Sequence, residues 1–371
     1  MRIYKNFRSA NRLLTSIRKI TLTQFRNYSS AGFSFSAQAT CITGPNGSGK
    51  TNLLDAVYYL CYTKSYFTAY QQQAVQKGMD GFRVEGTIQR AGRQEVISCK
   101  WKQGKKELLA DGVEYDRVQD HIGKYAAVMI APDDMELIND GGEVRRKWID
   151  GILGQTDRPY LESVMQYQRV LQQRNAWLKQ QALNPSTDSI SLEYYDAQLV
   201  TYGGYIYERR KQFLTEFIPL LTRFYNELCS GTEQINMIYE SDLHQQGLQQ
   251  WLKAGLQQDL RMQRTLRGIH RDDLVFVLHD TPVKQFGSQG QKKSFLFALK
   301  LAQYAYLSQQ QGHLPILLLD DIFEKLDQTR IEALLRIIRG PGFGQVLLTD
   351  THAQRVKDAF GEGADIAFIS L

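Results

Sequence analysis

The sequence predicts an α/β protein in which a lobe built on a parallel sheet is interrupted by a mainly helical lobe, with no long coiled coil. Three observations carry that prediction. A glycine-rich loop, Gly44-Pro45-Asn46-Gly47-Ser48-Gly49-Lys50-Thr51, stands between a strand-like run and a helical pattern. Far along the chain, Pro315-Ile316-Leu317-Leu318-Leu319-Asp320-Asp321 reads as a buried strand ending in two carboxylates. Between them, from about Gly141 to Gly255, the apolar period becomes helical.

The elements follow in order. Ile17 to Ala37 reads as a hairpin, with apolar positions at Ile20, Leu22 and Phe25, then Phe33 and Phe35. Thr40 to Thr43 is a short strand, and Asn52 to Cys61 is helical. Phe82 to Trp101 alternates as a strand pair around an Ala91-Gly92 turn. A short strand at Lys106 to Leu109 precedes an Asp111-Gly112 turn, and Ala126 to Ile130 is a buried strand. Tyr160 to Gln181 and Leu192 to Leu228 are long helices, broken at Asn184 to Ser189. The glutamines from Gln166 to Gln181 mark a solvated helix face. Asp273 to Leu278 returns to strand, a helix runs through Tyr306, and the aspartate-ended strand opens a last αβ unit with a strand at Gln345 to Leu348. The boundaries expected are therefore 17–138 with 262–371 for the sheet lobe and 139–261 for the helical lobe, after a basic extension at 1–16. No heptad pattern and no internal repeat appears.

The loop at 44–51 fits G-x-x-x-x-G-K-[ST], and its context of strand, loop and helix is the one a phosphate cradle needs. Its glycines let backbone N–H groups of the loop, such as those of Gly44, Asn46, Gly47, Ser48 and Gly49 around Pro45, curl toward one phosphate, and the helix N-terminus adds its dipole. Lys50 is expected on the β- and γ-phosphates of ATP, and the Thr51 hydroxyl on Mg²⁺. Asp320 is expected to complete the Mg²⁺ shell and Asp321 to polarise the attacking water. The bland alternatives are a plain glycine-rich turn, and two acids that merely start the next turn. A second anion-binding helix end lies at Phe286-Gly287-Ser288-Gln289-Gly290-Gln291-Lys292-Lys293. It resembles the signature motif of ATP-binding-cassette ATPases, so Ser288 and Gly290 are expected on the γ-phosphate of a neighbouring copy; the alternative is an ordinary N-capped helix.

Further segments resemble the RecF family of bacterial recombination-mediator ATPases, related to the SMC and double-strand-break-repair ATPases. These are Phe25-Arg26-Asn27-Tyr28, Ala131 to Ile138 followed by Arg145-Arg146-Lys147-Trp148-Ile149-Asp150, Leu171 to Lys179 around Gln173-Arg174-Asn175, and Gly268-Ile269-His270-Arg271-Asp272-Asp273-Leu274. The resemblance spans Ile17 to about Thr351. It implies an ABC-type ATPase lobe, an ATP-dependent homodimer clamping DNA at double-strand/single-strand junctions, and recombinase loading through RecR and possibly RecO. It also implies that Arg26 and Asn27 approach the nucleotide and that Asp327 is the D-loop aspartate, kept although Glu324-Lys325-Leu326-Asp327 departs at two positions from the family's S-E-L-D. Asp321 stands where cassette ATPases usually have glutamate, which predicts slow hydrolysis and a switch rather than a motor. Thr349-Asp350 occupies the place of the cassette switch histidine, with His352 two residues late. A transporter subunit would share only the loop, signature and aspartate motifs, and a chromosome-structuring ATPase would need a coiled coil. A nucleotide-dependent DNA scaffold with little turnover is the closer rival.

Composition agrees. The formal net charge is +6, and Met1 to Ser36 carries basic residues but no Asp or Glu. Arg83 to Lys106 is also basic, with Arg90, Arg93, Lys100, Lys102 and Lys105, a pattern that suits polyanion binding as well as solvated faces. Cys41, Cys61, Cys99 and Cys229 lack zinc or C-x-x-C spacing and read as core residues of a reduced, cytoplasmic compartment. No apolar run suits a bilayer, so no membrane partner is expected. Residues 1–16 lack the apolar core of a signal peptide; an upstream start, a flexible arm and a short helix all fit them.

Overall fold

A computed structural model describes residues 13–36, 38–183, 189–229, 231, 233–324, 327–361 and 365–371. The chain opens with β1 (Leu13–Phe25), β2 (Tyr28–Ser34) and β3 (Ala39–Thr43), then α1 (Lys50–Tyr62). A meander follows as β4 (Gly81–Arg90), β5 (Arg93–Lys102), β6 (Lys105–Ala110) and β7 (Val113–Glu114), then the buried β8 (Ala127–Ile130). The helices α2 (Gly142–Thr156), α3 (Arg158–Leu183) and α4 (Ser189–Cys229) precede β9 (Ile235–Glu240), α5 (Leu248–Met262), β10 (Asp273–Leu278) and β11 (Thr281–Pro282). The chain closes with α6 (Gln289–Gln311), β12 (His313–Leu314), β13 (Ile316–Leu319), α7 (Gln328–Ile338), β14 (Val346–Asp350), α8 (Ala353–Phe360) and β15 (Ile366–Ser370).

Two compact units result, one of Met1–Asp134, Arg223–Thr232 and Lys293–Leu371, the other of Met135–Thr222 and Glu233–Lys292. The helical unit thus runs to Lys292 rather than to residue 261, because β10 pairs with β9 and carries β11 with it. The first unit holds a parallel sheet of order β15-β3-β14-β13-β8 and a largely antiparallel sheet of order β12-β1-β4-β5-β6-β7, with β2 also on β1. The helix α1 is buried almost all round, as Leu53, Leu54, Ala56, Val57, Leu60 and Cys61 show. A helix apolar on every side belongs inside. It shares one core with Ile20, Leu22 and Phe25 of β1 and with Ile42 and Leu318 of the parallel sheet. Gly86 in β4 makes room for it: a Cβ there would meet Leu60 Cδ1 at 2.3 Å. Cys61 and Cys99 lie in this core as free thiols, each pushed up to about 12 chiefly by burial.

Three expectations are adjusted here. The basic extension does not reach residue 16: Leu13 and Leu14 pair with His313 and Leu314, and Thr15 and Ser16 pair with Arg90 and Gln89. Residues 1–12 and the loop at 184–188 lie outside the described residues. The stretch Gly141 to Gly255 is not wholly helical, since β9 alternates buried Ile235, Met237 and Tyr239 with exposed neighbours and pairs along β10. The glutamine face of α3 is solvated except for Gln181, which is buried.

The sequence blocks without a nucleotide role lock the second unit together. Arg145 grips Asp273 through Nε and Nη2 at 2.7 Å each, and Arg146 donates to the Asp272 carbonyl at 2.5 Å. Buried Arg210 reaches Asp150 at 2.9 Å, Asp272 at 3.1 Å and the Ile269 carbonyl at 3.0 Å. Arg174 binds Asp259 at 2.7 Å and Asp196 at 2.6 Å, while Asn175 accepts from the Thr265 N–H at 2.7 Å. Removing one partner of such a buried pair costs about 3–5 kcal/mol. These arginines and aspartates are architecture.

One buried and one half-buried histidine make stability pH-dependent. His121 is fully buried; its Nε2 donates to the Leu60 carbonyl at 2.7 Å, so its Nδ1 is left to accept from Tyr115. His270 sits between Tyr167 and the Thr265 carbonyl. Burial first of all lowers both to about 4. A base whose folded pKa is depressed binds its proton later than the unfolded chain does. Its contribution is therefore constant above about 6.5 and falls as pH drops toward 4, by about 1.4 kcal/mol per unit for each histidine. Urea unfolding at pH 7 and pH 5 should show this loss, with a shallower slope in His121→Asn. An unchanged slope in that variant would refute the assignment.

Candidate nucleotide site

Strand order brings the site together. In the parallel sheet β14 lies between β3 and β13, with Asp350 opposite Thr43 and Leu348 opposite Leu319. The phosphate loop leaves the C-terminal end of β3, and Asp320 and Asp321 leave that of β13, so Thr349 falls between them. Ligands bind at the carboxyl ends of the strands in open α/β sheets. The loop is tight where glycine is needed. Gly44 has φ 155° and a Cβ there would meet Ser48 Oγ at 2.8 Å; Gly49 has φ 110° and a Cβ would meet Asn27 and the Tyr28 hydroxyl at 2.7 and 2.8 Å.

Lys50 opens α1 and folds its ammonium across the loop onto the carbonyls of Gly44 and Pro45, at 2.8 and 2.9 Å. Thr51 Oγ1 donates to Asp320 at 2.9 and 3.0 Å. Thr349 Oγ1 donates to Asp320 Oδ1 at 2.8 Å and accepts from the Asp321 N–H at 2.9 Å. Burial raises the Asp320 carboxyl above its ordinary value; the Thr349 and Thr51 hydroxyls oppose that, and the charge of Asp321 adds to it. Asp321 is held at φ 49°, a left-handed backbone, directly after the strand. These groups line one cavity of about 170 Å³ with Asn46, Gly47, Gly49, Lys50 and Asn52. A hydroxyl and a carboxylate 2.9 Å apart are hard oxygen donors of the kind Mg²⁺ takes beside a phosphate.

The Phe25 to Tyr28 turn braces this loop. Asn27 donates to the Ser48 carbonyl at 3.1 Å and accepts from Asn52 at 2.8 Å, while the Tyr28 hydroxyl donates to the Gly49 carbonyl at 3.1 Å. Arg26 is placed otherwise than expected. It does not line the cavity; its guanidinium holds Asp55, a buried carboxylate on α1, at 2.9 Å and Ser65 at 2.8 Å. It anchors the helix behind the loop.

The two switch-histidine substitutes separate. Asp350 is fully buried and turned to the His352 N–H at 2.6 Å and to Arg355 at 2.7 Å. His352 is exposed at the start of α8 and lines no part of the cavity. Thr349 is the cavity-lining residue of that strand end, and Asn52 joins it; both were missed as site residues. The signal for Thr349 was its place beside the first aspartate once the strand order is known.

In the second unit the signature segment forms a capping box. Ser288 Oγ accepts from the Gln291 N–H at 3.2 Å, and Gln291 Oε1 accepts from the Ser288 N–H at 2.8 Å. This reciprocal cap fixes the start of α6 with Ser288 exposed and Gly290 half-buried on its first turn. Asp327 caps α7 through the Arg330 N–H at 2.9 Å, and that bond with the Arg330 charge lowers its carboxyl. Lys325 and Leu326 lie outside the described residues. No described helix is long and apolar enough to cross a membrane.

Residues 16–363 match the family model described as the RecF/RecN/SMC N terminal domain. The chain is 43% identical over 342 residues to the DNA replication and repair protein RecF of Flavobacterium johnsoniae, covering 92% of this chain and 95% of that one. It is 38% identical over 339 residues to the protein of the same name from Cytophaga hutchinsonii, covering 91% and 90%. The solved structure of the recombination mediator protein RecF with ATP aligns with a TM-score of 0.86 at 26% identity, over 94% of this chain and 95% of that one. The Smc head domain of Pyrococcus furiosus aligns with a TM-score of 0.55 at 17% identity, over 96% and 93%, and shares the fold. The ABC-type ATPase architecture expected from the motifs is the one these proteins have.

Proposed function

The chain belongs to the RecF branch of the RecF/RecN/SMC family, and on that premise we propose that it is an ATP-gated DNA clamp of replication and recombinational repair. The observation that carries the reading is the convergence of Lys50, Thr51, Asp320 and Thr349 on one cavity at the end of the parallel sheet. ATP is bound there by the backbone of Gly44 to Gly49, with Lys50 exchanging its loop carbonyls for the β- and γ-phosphate oxygens. Thr51 and Asp320 would hold Mg²⁺, which neutralises charge on those oxygens when bound. Asp321 orients the attacking water from a short side chain, and Thr349 offers a hydroxyl where a cassette enzyme has a histidine. Both favour slow, DNA-stimulated hydrolysis.

A second copy completes the site. Its Ser288 and Gly290 present a capped helix N-terminus to the γ-phosphate, and its Asp327 lies along the dimer contact. The γ-phosphate then bonds the two copies, and its loss releases them. The dimer grips gapped or junction DNA chiefly through phosphates. Through RecR, and RecO with it, the clamp promotes recombinase loading, in the cytoplasm.

Light scattering with no nucleotide, with ATP and with ADP, each with and without gapped duplex, tests this. A dimer is expected with ATP alone, and DNA retention only in that state. A monomer under all three conditions, despite measured ATP binding, would overturn the gated dimer and leave a partner to complete the assembly.

A further inference from the structure

The basic stretch Arg83 to Lys106 divides into two electrostatically different parts. On the sheet, Arg83 faces Lys100 and Lys100 faces Glu107 across neighbouring strands. Arg83 pairs with Glu85, and Lys100 with Glu107 at 3.2 Å. Arg90 donates to the Lys124 carbonyl at 2.5 Å and lies over the Tyr125 ring. Arg83 and Lys100 are thus matched by carboxylates within the sheet, whereas Arg90 stands opposite Arg93 across the Ala91-Gly92 turn and is held by a carbonyl and a ring.

The end of the β5–β6 hairpin is not matched. Lys102 stands directly opposite Lys105 across the Gln103-Gly104 turn, whose residues have φ 49° and 83°. Both lysines are exposed. Like charges facing each other across a hairpin destabilise it. The next residue, Lys106, stands opposite buried Trp101 and so turns to the other face, where its ammonium donates to the Thr63 carbonyl at 2.5 Å over the Tyr59 ring and lies near exposed Lys64. Burial pulls the Lys106 ammonium below the ordinary lysine value; Cys99 opposes that, and the charge of Lys64 adds to it. Among the described residues none of these lysines forms an ion pair. A surplus of one sign, held close together at a cost to the free protein, is relieved by a polyanion that brings several charges at once. Duplex DNA, with a phosphate charge every ~1.7 Å of axis, meets that requirement better than a single small anion.

We propose that Lys102 and Lys105 form a DNA phosphate-contact surface at the tip of the β5–β6 hairpin. The assignment rests on the DNA-clamp reading and names the cations that carry it. It predicts sequence-independent contacts, because ammonium groups on a hairpin tip neutralise phosphates without reading bases.

The test titrates a labelled duplex of about 30 bp with the full chain plus ATP at several salt concentrations, for wild type, Lys102→Gln/Lys105→Gln and Lys102→Arg/Lys105→Arg. Each phosphate contact contributes about 0.9 to the slope of log K against log salt. The glutamine pair should lower that slope by about 2 and weaken binding about tenfold or more at low salt. ATP affinity should stay unchanged, and the arginine pair should restore the slope. Relief of the Lys102–Lys105 repulsion keeps the variant folded. Wild-type slope and affinity in the glutamine pair would overturn the hairpin assignment while leaving the clamp intact. No DNA binding by wild type with ATP would overturn both. Direct binding of a labelled poly-glutamate peptide, lost in the glutamine pair, with no duplex binding would assign the lysines to an acidic protein instead.

Discussion

Lys50→Met is expected to abolish ATP-dependent DNA binding. The ammonium already lies across the loop on Gly44 and Pro45, at 2.8 and 2.9 Å, so little rearrangement separates it from a phosphate seated in the same loop. Methionine keeps the length and removes the charge. Two charge-assisted hydrogen bonds contribute about 1.5–3 kcal/mol each, so ATP affinity should fall about 100-fold or more. The fold should survive, because Lys50 is only half-buried and the helix it opens is held by Leu53, Leu54, Val57 and Leu60 behind it. Calorimetric titration with ATP and DNA retention on gapped duplex, each beside a thermal melt, separate the effects. The expected outcome is an unchanged melt, lost ATP binding, and DNA affinity equal to that of wild type without nucleotide. Wild-type DNA affinity that is the same with and without ATP would sink the gate itself.

How much of this was legible beforehand depended on whether the signal was local. The phosphate loop and the aspartate-ended strand are local patterns, and Lys50, Thr51 and Asp320 meet in one cavity. Strand β9 was hidden because six residues of alternation sit between long helical runs, and its apolar face becomes informative only when β10 is known to pair with it. Thr349 was hidden for the same reason at another scale: its hydroxyl matters because β14 lies beside β13, which is a fact of topology. Arg26 shows the opposite failure. Its sequence neighbours Asn27 and Tyr28 do touch the loop, yet the guanidinium turns to Asp55, so adjacency in a motif did not give adjacency in the site. The arginine and aspartate blocks at 145–150 and 268–274 carry the family resemblance, but the sequence alone gives them no role. They are buried against each other in networks that fix the second unit.

Ser288→Arg is expected to leave ATP binding by the monomer intact and to block ATP-induced dimerisation. The exposed hydroxyl sits at the N-terminus of α6, where backbone N–H groups and the helix dipole favour an anion. An arginine there fills that space with a bulky side chain whose own charge opposes the dipole. It also removes half of the capping box with Gln291, at about 1 kcal/mol of stability, a loss small enough for the chain to remain folded. The phosphate loop, Asp320 and Thr349 belong to the other unit and keep their hydrogen bonds, so nucleotide affinity has no reason to change. Ser288→Ala provides the control, since it loses the same cap without adding bulk or charge. If the cap alone mattered, both variants would fail to dimerise alike. If the helix end meets a γ-phosphate across the dimer, the alanine variant should dimerise weakly and the arginine variant not at all, while wild-type chains mixed with Ser288→Arg still form dimers with one competent site. A normal ATP-induced dimer of Ser288→Arg would contradict the trans contact and return the signature segment to the role of an ordinary capped helix.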